Sequence, residues 1–318
     1  MSDQEPQKWE RDLLSRIAMA GVNEQRRARR WRIFMWMLTL LYLTVLILVS
    51  SGAWQFSGKS NPIKGEHVAV VQVNGIIAPD SDASADMLVP AMRDAMENEN
   101  AKALLLRINS PGGSPVQSEL VYSEILRLRS EYPEKPVYAV IEDIGASGAY
   151  YIASAAENIY AIESSIVGSI GVTSGGSFGF VKALEKLGVE RRIYTSGENK
   201  AFLDPFLPEK QQDIERYESM LNSVHQQFIK AVTDERGERL KDDGELFSGY
   251  VWTGEESLEL GLIDGFGDMR GIAREMFETD EIVDYTRQAD FLTRFAENLG
   301  ASAANTLIEA ANPAPEFR

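Results

Sequence analysis

Apolar runs set the frame of this chain. Val68–Val73, Ala103–Ile108 and Val137–Ile141 are short, rich in Val, Ile and Leu, and continuous rather than alternating. That is the pattern of strands buried on both faces. Between them, Met87–Met96 and the stretch after Ser114 repeat apolar residues at helical spacing. Strands alternating with helices predict an α/β fold with a parallel sheet, βα repeats and right-handed crossovers.

Local signals refine the elements. Ser114 is placed to cap a helix, Pro115 suits its first position, and Gln117 completes a capping box. Val116, Leu120, Val121, Ile125 and Leu128 then form its expected apolar face. The third strand leads into the turn Gly145–Tyr151 and a small-residue helix over Tyr150–Ala156. Ile159–Val181 reads as strands and tight turns, and Ile193-Tyr194 as one more short strand. Ile214, Tyr217, Leu221, Val224, Phe228 and Val232 make Pro208–Thr233 a long amphipathic helix. Thr253 and Glu256 form a second capping box for a helix ending at Gly261, and Phe291–Ala311 is a last amphipathic stretch.

A different run lies near the N-terminus. Ile33–Ala53 carries no charge and at about 1.5 Å per residue is long enough to span a ~30 Å hydrocarbon core. Trp31, Trp36 and Trp54 fall near its ends, and Arg26, Arg27, Arg29, Arg30 and Arg32 crowd its N-terminal side against Lys59 and Lys64 beyond it. The positive-inside rule then leaves the N-terminus in the cytoplasm and the rest across the membrane. The expected division is a cytoplasmic tail over 1–32, a transmembrane helix over 33–54, a linker over 55–65, a catalytic domain over 66–280 and an amphipathic tail over 281–318. With no eukaryotic targeting signal, a bacterial inner membrane with a periplasmic domain is the expected setting.

Composition narrows the chemistry. The net charge of −16 over 318 residues argues against nucleic acid. The absence of cysteine excludes disulfides and thiolate zinc sites. His67 and His225 are the only histidines and sit far apart, so no metal site is recognisable and neither is the expected base for a nucleophile. The pair Glu142-Asp143 suits capping or solvation better than catalysis.

A Ser-Lys dyad is the natural alternative. Ser147 stands between Ala146 and Gly148 at a strand-to-helix turn, where small neighbours permit a strained, exposed hydroxyl; taken alone, a helix-capping serine accounts for it as well. Gly112-Gly113, between a strand and a helix, lets backbone N–H groups face a ligand as an oxyanion hole, or serves as a plain βα turn. Lys200 follows a Ser-Gly turn beside the apolar run Ala201–Leu207; it is a base only when neutral, and otherwise a solvated surface lysine. Ser169, flanked by Gly168 and Gly171, is able to orient the lysine or simply to shape a turn.

These residues resemble a known family. Asn109–Gly113, Gly145–Tyr151, Val167–Val172, Ser196–Lys200, Val251–Gly254 and Gly261–Asp264 occur in the order found in the signal peptide peptidase A family, in its short, single-domain form. The resemblance covers about residues 66–270. It implies a ClpP/crotonase-like fold, with Ser147 as nucleophile, Lys200 as general base, Ser169 orienting the lysine, and Gly112, Gly113 and Gly148 around the oxyanion. It further implies no cofactor, peptide substrates left over from signal peptides, and a ring-like homo-oligomer whose clefts are completed between neighbours. Some wider relatives carry two such domains in tandem where this chain has one, so self-assembly is expected to supply the second. At 250 a basic residue is expected and Tyr250 stands instead. An acyl-CoA enzyme on the same scaffold and an inactive membrane scaffold are the rival readings.

Overall fold

The computed structural model describes residues 26–27, 29–46, 65–241 and 244–287. The chain divides into two units, Met1–Ile63 and Lys64–Arg318.

In the first unit, residues 29–46 form a helix, α1, whose large apolar side chains are exposed, Trp36 at 69% and Leu41 at 64% among them. The hydroxyls of Thr39 and Thr44 donate back to the carbonyls of Met35 and Leu40. Among the described residues no helix is long and apolar enough to cross a membrane. Residues 47–53, the rest of the expected span, lie outside the described residues.

The second unit is built on a mixed, mainly parallel sheet with helices on both faces. In chain order its elements are β1 (His67–Asn74), α2 (Ala85–Glu97), β2 (Ala101–Ser110), α3 (Pro115–Glu131), β3 (Val137–Ala146), α4 (Gly148–Ser154), β4 (Asn158–Ala161), β5 (Ile166–Gly168), α5 (Val181–Leu187), α6 (Gln211–Arg236), β6 (Val251–Thr253), α7 (Gly254–Glu259), β7 (Gly265–Phe266), α8 (Met269–Phe277) and β8 (Ile282–Asp284). The strands run in the order β6-β5-β3-β2-β1-β8, with β4 also on β3 and β7 on β4. Among the described pairings only β5–β6 is antiparallel. β8 lies beyond residue 280, the expected end of the domain, and pairs with β1.

Side-chain alternation divides each central strand between two cores. Val71 and Val73, Leu104 and Leu106, Ala139 and Ile141 face α2, α3, α4 and α6. Val68, Val70, Leu105 and Val140 face the opposite side, against Ile272 and Ala273 of α8. Continuous apolar runs are therefore required here, because both faces are covered.

Some local expectations are corrected. The Ser114 hydroxyl accepts the Gln117 N–H, but Gln117 Oε1 accepts the Ala85 N–H at 2.8 Å, so the glutamine caps α2 instead of closing a box on α3. Val116 and Leu120 are exposed, while Val121, Ile125 and Leu128 are buried with Tyr122. The core wraps only the later turns of α3. Ile193-Tyr194 forms no strand and is exposed, since no sheet edge reaches it. The expected stretch Phe291–Ala311 lies outside the described residues.

One buried charge ties the helical layer to the sheet. The Arg236 side chain, at the end of α6, is fully buried and donates to both the Gly261 carbonyl and Asp264. Asp264 also accepts the Ile159 N–H, and Tyr150 of α4 donates to the Leu262 carbonyl. Burial works against the Asp264 carboxylate, yet Arg236, Ile159 N–H and Arg239 hold its pKa below the ordinary value. A carboxylate with a lowered pKa stabilises the fold above its unfolded value, about 3.9, and loses that contribution as pH falls through the folded value. Asp264→Ala leaves Arg236 buried and uncompensated. It is expected to lower stability by about 3 kcal/mol at neutral pH in urea denaturation, with the wild-type advantage shrinking as the pH drops below about 4.

Candidate active site

The site forms where neighbouring parallel strands end together, the usual place for ligands in open α/β sheets. β2 ends at Ser110 and β3 at Ala146, with Ser110 opposite Gly145. After β1, Ile77 bridges to Gly113. Three strand ends thus bring the Pro111–Ser114 loop and the start of α4 side by side.

The loop has no room for side chains. Gly112 and Gly113 both have positive φ, 97° and 153°. A Cβ on Gly112 would fall 2.7 Å from the Ala146 carbonyl and 2.7 Å from Gly148 N, and one on Gly113 would fall 2.1 Å from the Ile77 carbonyl. The Ser110 hydroxyl accepts the Gly112 N–H, and the Gly112 carbonyl accepts the Ile77 N–H. A Cβ on Gly148 would sit 3.3 Å from Gly113 N, so these two stretches of backbone press against each other. No backbone carbonyl among the described residues engages the N–H of Gly113 or of Gly148. Two adjacent unengaged donors, one at a helix start, are the groups an oxyanion requires.

Ser147 stands beside them in an unusual conformation. Its φ is 52° and ψ −125°, and its side chain makes no capping bond. The backbone holds it in place: its N–H donates to the Gly168 carbonyl at 2.8 Å and its carbonyl accepts from Tyr151 at 3.0 Å. A serine at positive φ costs about 1–3 kcal/mol, so the surroundings impose it. The N-cap position is confirmed, but the hydroxyl is not spent on the cap.

Ser147 opens on a cavity of about 550 Å³ that is also lined by Gly112, Gly113, Gly148 and Ser169. Ser169 has φ 52° as well, and its N–H donates to the Tyr250 carbonyl. Tyr250 therefore serves through its backbone, and its side chain is exposed. Trp252 packs under Gly168, where a Cβ would meet its ring at 2.8 Å. The far wall comes from α3, α4 and α6, through Glu119, Tyr151, Val224, Gln227 and Phe228. None of these was singled out from sequence as a site residue. Their signal was only that Glu119 and Tyr151 follow Pro115 and Ser147 by one helical turn. His225, also on α6, donates from Nε2 to the Ile170 carbonyl at 3.0 Å and so steadies the segment after Ser169.

Lys200 is placed elsewhere. It is exposed in the loop after α5 and is absent from the cavity lining, so a single copy of the chain brings together Ser147, Ser169, Gly112, Gly113 and Gly148 but not the lysine. None of residues 171–200 is buried.

Comparison with known proteins bears on this geometry. A model of peptidase family S49 matches residues 130–282, which contain Ser147, Ser169 and Lys200. A putative protease of Synechocystis is 30% identical over 253 residues, covering 73% of this chain and 87% of that protein. The chain belongs to peptidase family S49. The chloroplastic serine protease SPPA of Arabidopsis thaliana is 32% identical over 218 residues, 65% of this chain and 32% of that protein. A Brucella abortus protein named Na(+)/H(+) antiporter NhaA is 50% identical over 186 residues, 58% of this chain. The chain spans about a quarter of that relative's length, with 25% of it covered. Relatives named signal peptide peptidase and protease 4 also match, at 26% and 30% identity.

The strain at Ser147 is separable from its chemistry. Glycine adopts positive φ without steric cost, whereas alanine keeps the strain. Ser147→Gly is expected to be about 1 kcal/mol more stable than Ser147→Ala in denaturant titrations, with both lacking the nucleophile.

Proposed function

We propose that this S49 protein is a membrane-anchored serine endopeptidase that uses Ser147 as nucleophile and Lys200 as general base. The observation that carries the reading is Ser147 itself: a serine forced into positive φ, its hydroxyl uncommitted, opening on a cavity beside two unengaged backbone N–H groups.

The chemistry is acyl transfer. Neutral Lys200 takes the Ser147 proton as the oxygen attacks a peptide carbonyl. The oxyanion is held by the Gly113 and Gly148 N–H groups, and the protonated lysine then delivers its proton to the leaving amine. Water, activated by the same lysine, releases the acyl group and restores the serine. Ser169, at the cavity edge, orients the lysine through its hydroxyl. Each oxyanion donor is worth about 3 kcal/mol of barrier.

The lysine arrives from a neighbouring copy in a ring of ClpP/crotonase-like domains. Two observations support this. Lys200 is exposed and outside the cavity of its own chain. The segment around it also exposes large apolar side chains, with Phe178 at 78%, Leu187 at 74% and Tyr194 at 91%, a surface that calls for a partner. Anchorage in a bacterial inner membrane rests on the Ile33–Ala53 run and the exposed apolar side chains of α1, with the catalytic domain in the periplasm. Held there, the enzyme meets apolar remnants such as cleaved signal peptides at raised effective concentration.

The test is peptide hydrolysis by the assembled protein and by Ser147→Ala and Lys200→Ala, each confirmed folded and assembled. Both variants are expected to lose about 10⁴-fold or more in kcat. Co-assembling the two inactive variants is expected to restore turnover, because a site then forms from Ser147 of one copy and Lys200 of the next. A mixture that stays inactive argues for a lysine from the same copy, and full activity in Lys200→Ala overturns the dyad.

A further inference from the structure

The cavity wall carries a charge that the reaction does not use. α3 and α4 both begin at the reactive end, with Pro115 opening the first and Ser147 preceding the second. Glu119 and Tyr151 line the same cavity one helical turn further along each helix. That turn rises about 5.4 Å, close to the length of a four-carbon lysine stem.

Among the described residues of one copy, Glu119 is the acidic or basic residue lining this cavity, with no lysine, arginine or histidine beside it, so the Lys200 that a neighbour supplies at Ser147 is the one further charged group proposed there. The ion pairs of α3 run through Glu124, Arg127, Arg129 and Glu131, and Glu119 joins none of them. Beside it the wall is apolar, from Pro115, Tyr151, Val224 and Phe228. Tyr151 packs against Phe228 with ring centroids 4.9 Å apart. Burial, and after it the Glu119 charge, pushes the Tyr151 phenol above its ordinary pKa.

We infer that Glu119 makes this pocket selective for substrates with lysine or arginine at the residue whose carbonyl is attacked. Such a side chain lays its methylenes on the apolar wall and brings its cation to the carboxylate. Glu119 itself is exposed, so aspartate or glutamate there meets a like charge that solvent partly screens, and is disfavoured rather than excluded. Leucine gains the wall without the ion pair. The inference rests on the reading of Ser147 as nucleophile.

The experiment uses the full chain in detergent and peptides identical except for lysine, arginine, leucine or glutamate at the cleaved position. The wild type is expected to favour lysine and arginine over glutamate by about tenfold in kcat/KM, and the gap is expected to narrow as salt rises. In Glu119→Gln the lysine-to-leucine ratio falls about threefold, and in Glu119→Lys the lysine-to-glutamate preference reverses. A variant that folds poorly lowers all rates together and leaves these ratios unchanged, and the wild-type salt series needs no variant. In parallel, a fluorophosphonate probe reports on Ser147. Labelling that depends on Ser147, together with equal rates on the lysine and glutamate peptides, overturns this inference alone. No labelling overturns it together with the serine peptidase reading.

Discussion

Everything at this site depends on one backbone conformation. Ser147 cannot hold φ 52° on its own. It is held because β3 delivers it next to β5, where the Gly168 carbonyl takes its N–H, and because α4 starts immediately after it. The same constraint explains the neighbouring glycines. With Ser147 turned this way, its Cβ, the Ala146 carbonyl and the Gly148 nitrogen fill the space where a side chain on Gly112 would lie, and the Ile77 carbonyl fills that of Gly113. The buried Arg236–Asp264 pair acts one layer out, fixing the end of α6 to the segment behind α4. Val224, Gln227 and Phe228 on that helix then meet the cavity at a defined height.

Much of this was legible in the sequence because it is local. Buried parallel strands announce themselves as unbroken apolar runs, and Val68–Val73, Ala103–Ile108 and Val137–Ile141 sit inside β1, β2 and β3. The Thr253–Glu256 box is present in full, and Gly261 has the positive φ that a helix stop demands. The small residues around Ser147 marked a tight turn, and the turn is there.

What was not legible depends on contacts between distant segments. Gln117 was read with its own helix, yet its oxygen serves Ala85, which precedes it by a whole strand and helix. Val116 and Leu120 fit an apolar stripe by spacing, but no element among the described residues covers them. The cavity wall was missed because Glu119, Tyr151, Val224, Gln227 and Phe228 carry no motif; only the packing of α3, α4 and α6 brings them together. Lys200 is the opposite case. The Ser-Gly turn before it and the apolar run after it singled it out, while the fold of one copy leaves it on the outside.

The position of β8 sets an order of events during synthesis. β1 opens the domain and pairs on one side with β2, yet its other edge is occupied by β8, with Val68, Ala69 and Val70 opposite Ile282, Val283 and Asp284. Tyr285 then donates to His67 Nε2 and accepts from Asn98. An emerging chain therefore carries an open, apolar strand edge from its first strand until the ribosome has released residue 285. Such an edge invites pairing with other strands, and its distant partner makes its closure a slow, late step. A nascent copy that stalls before that point is left with the seam of its sheet unsewn.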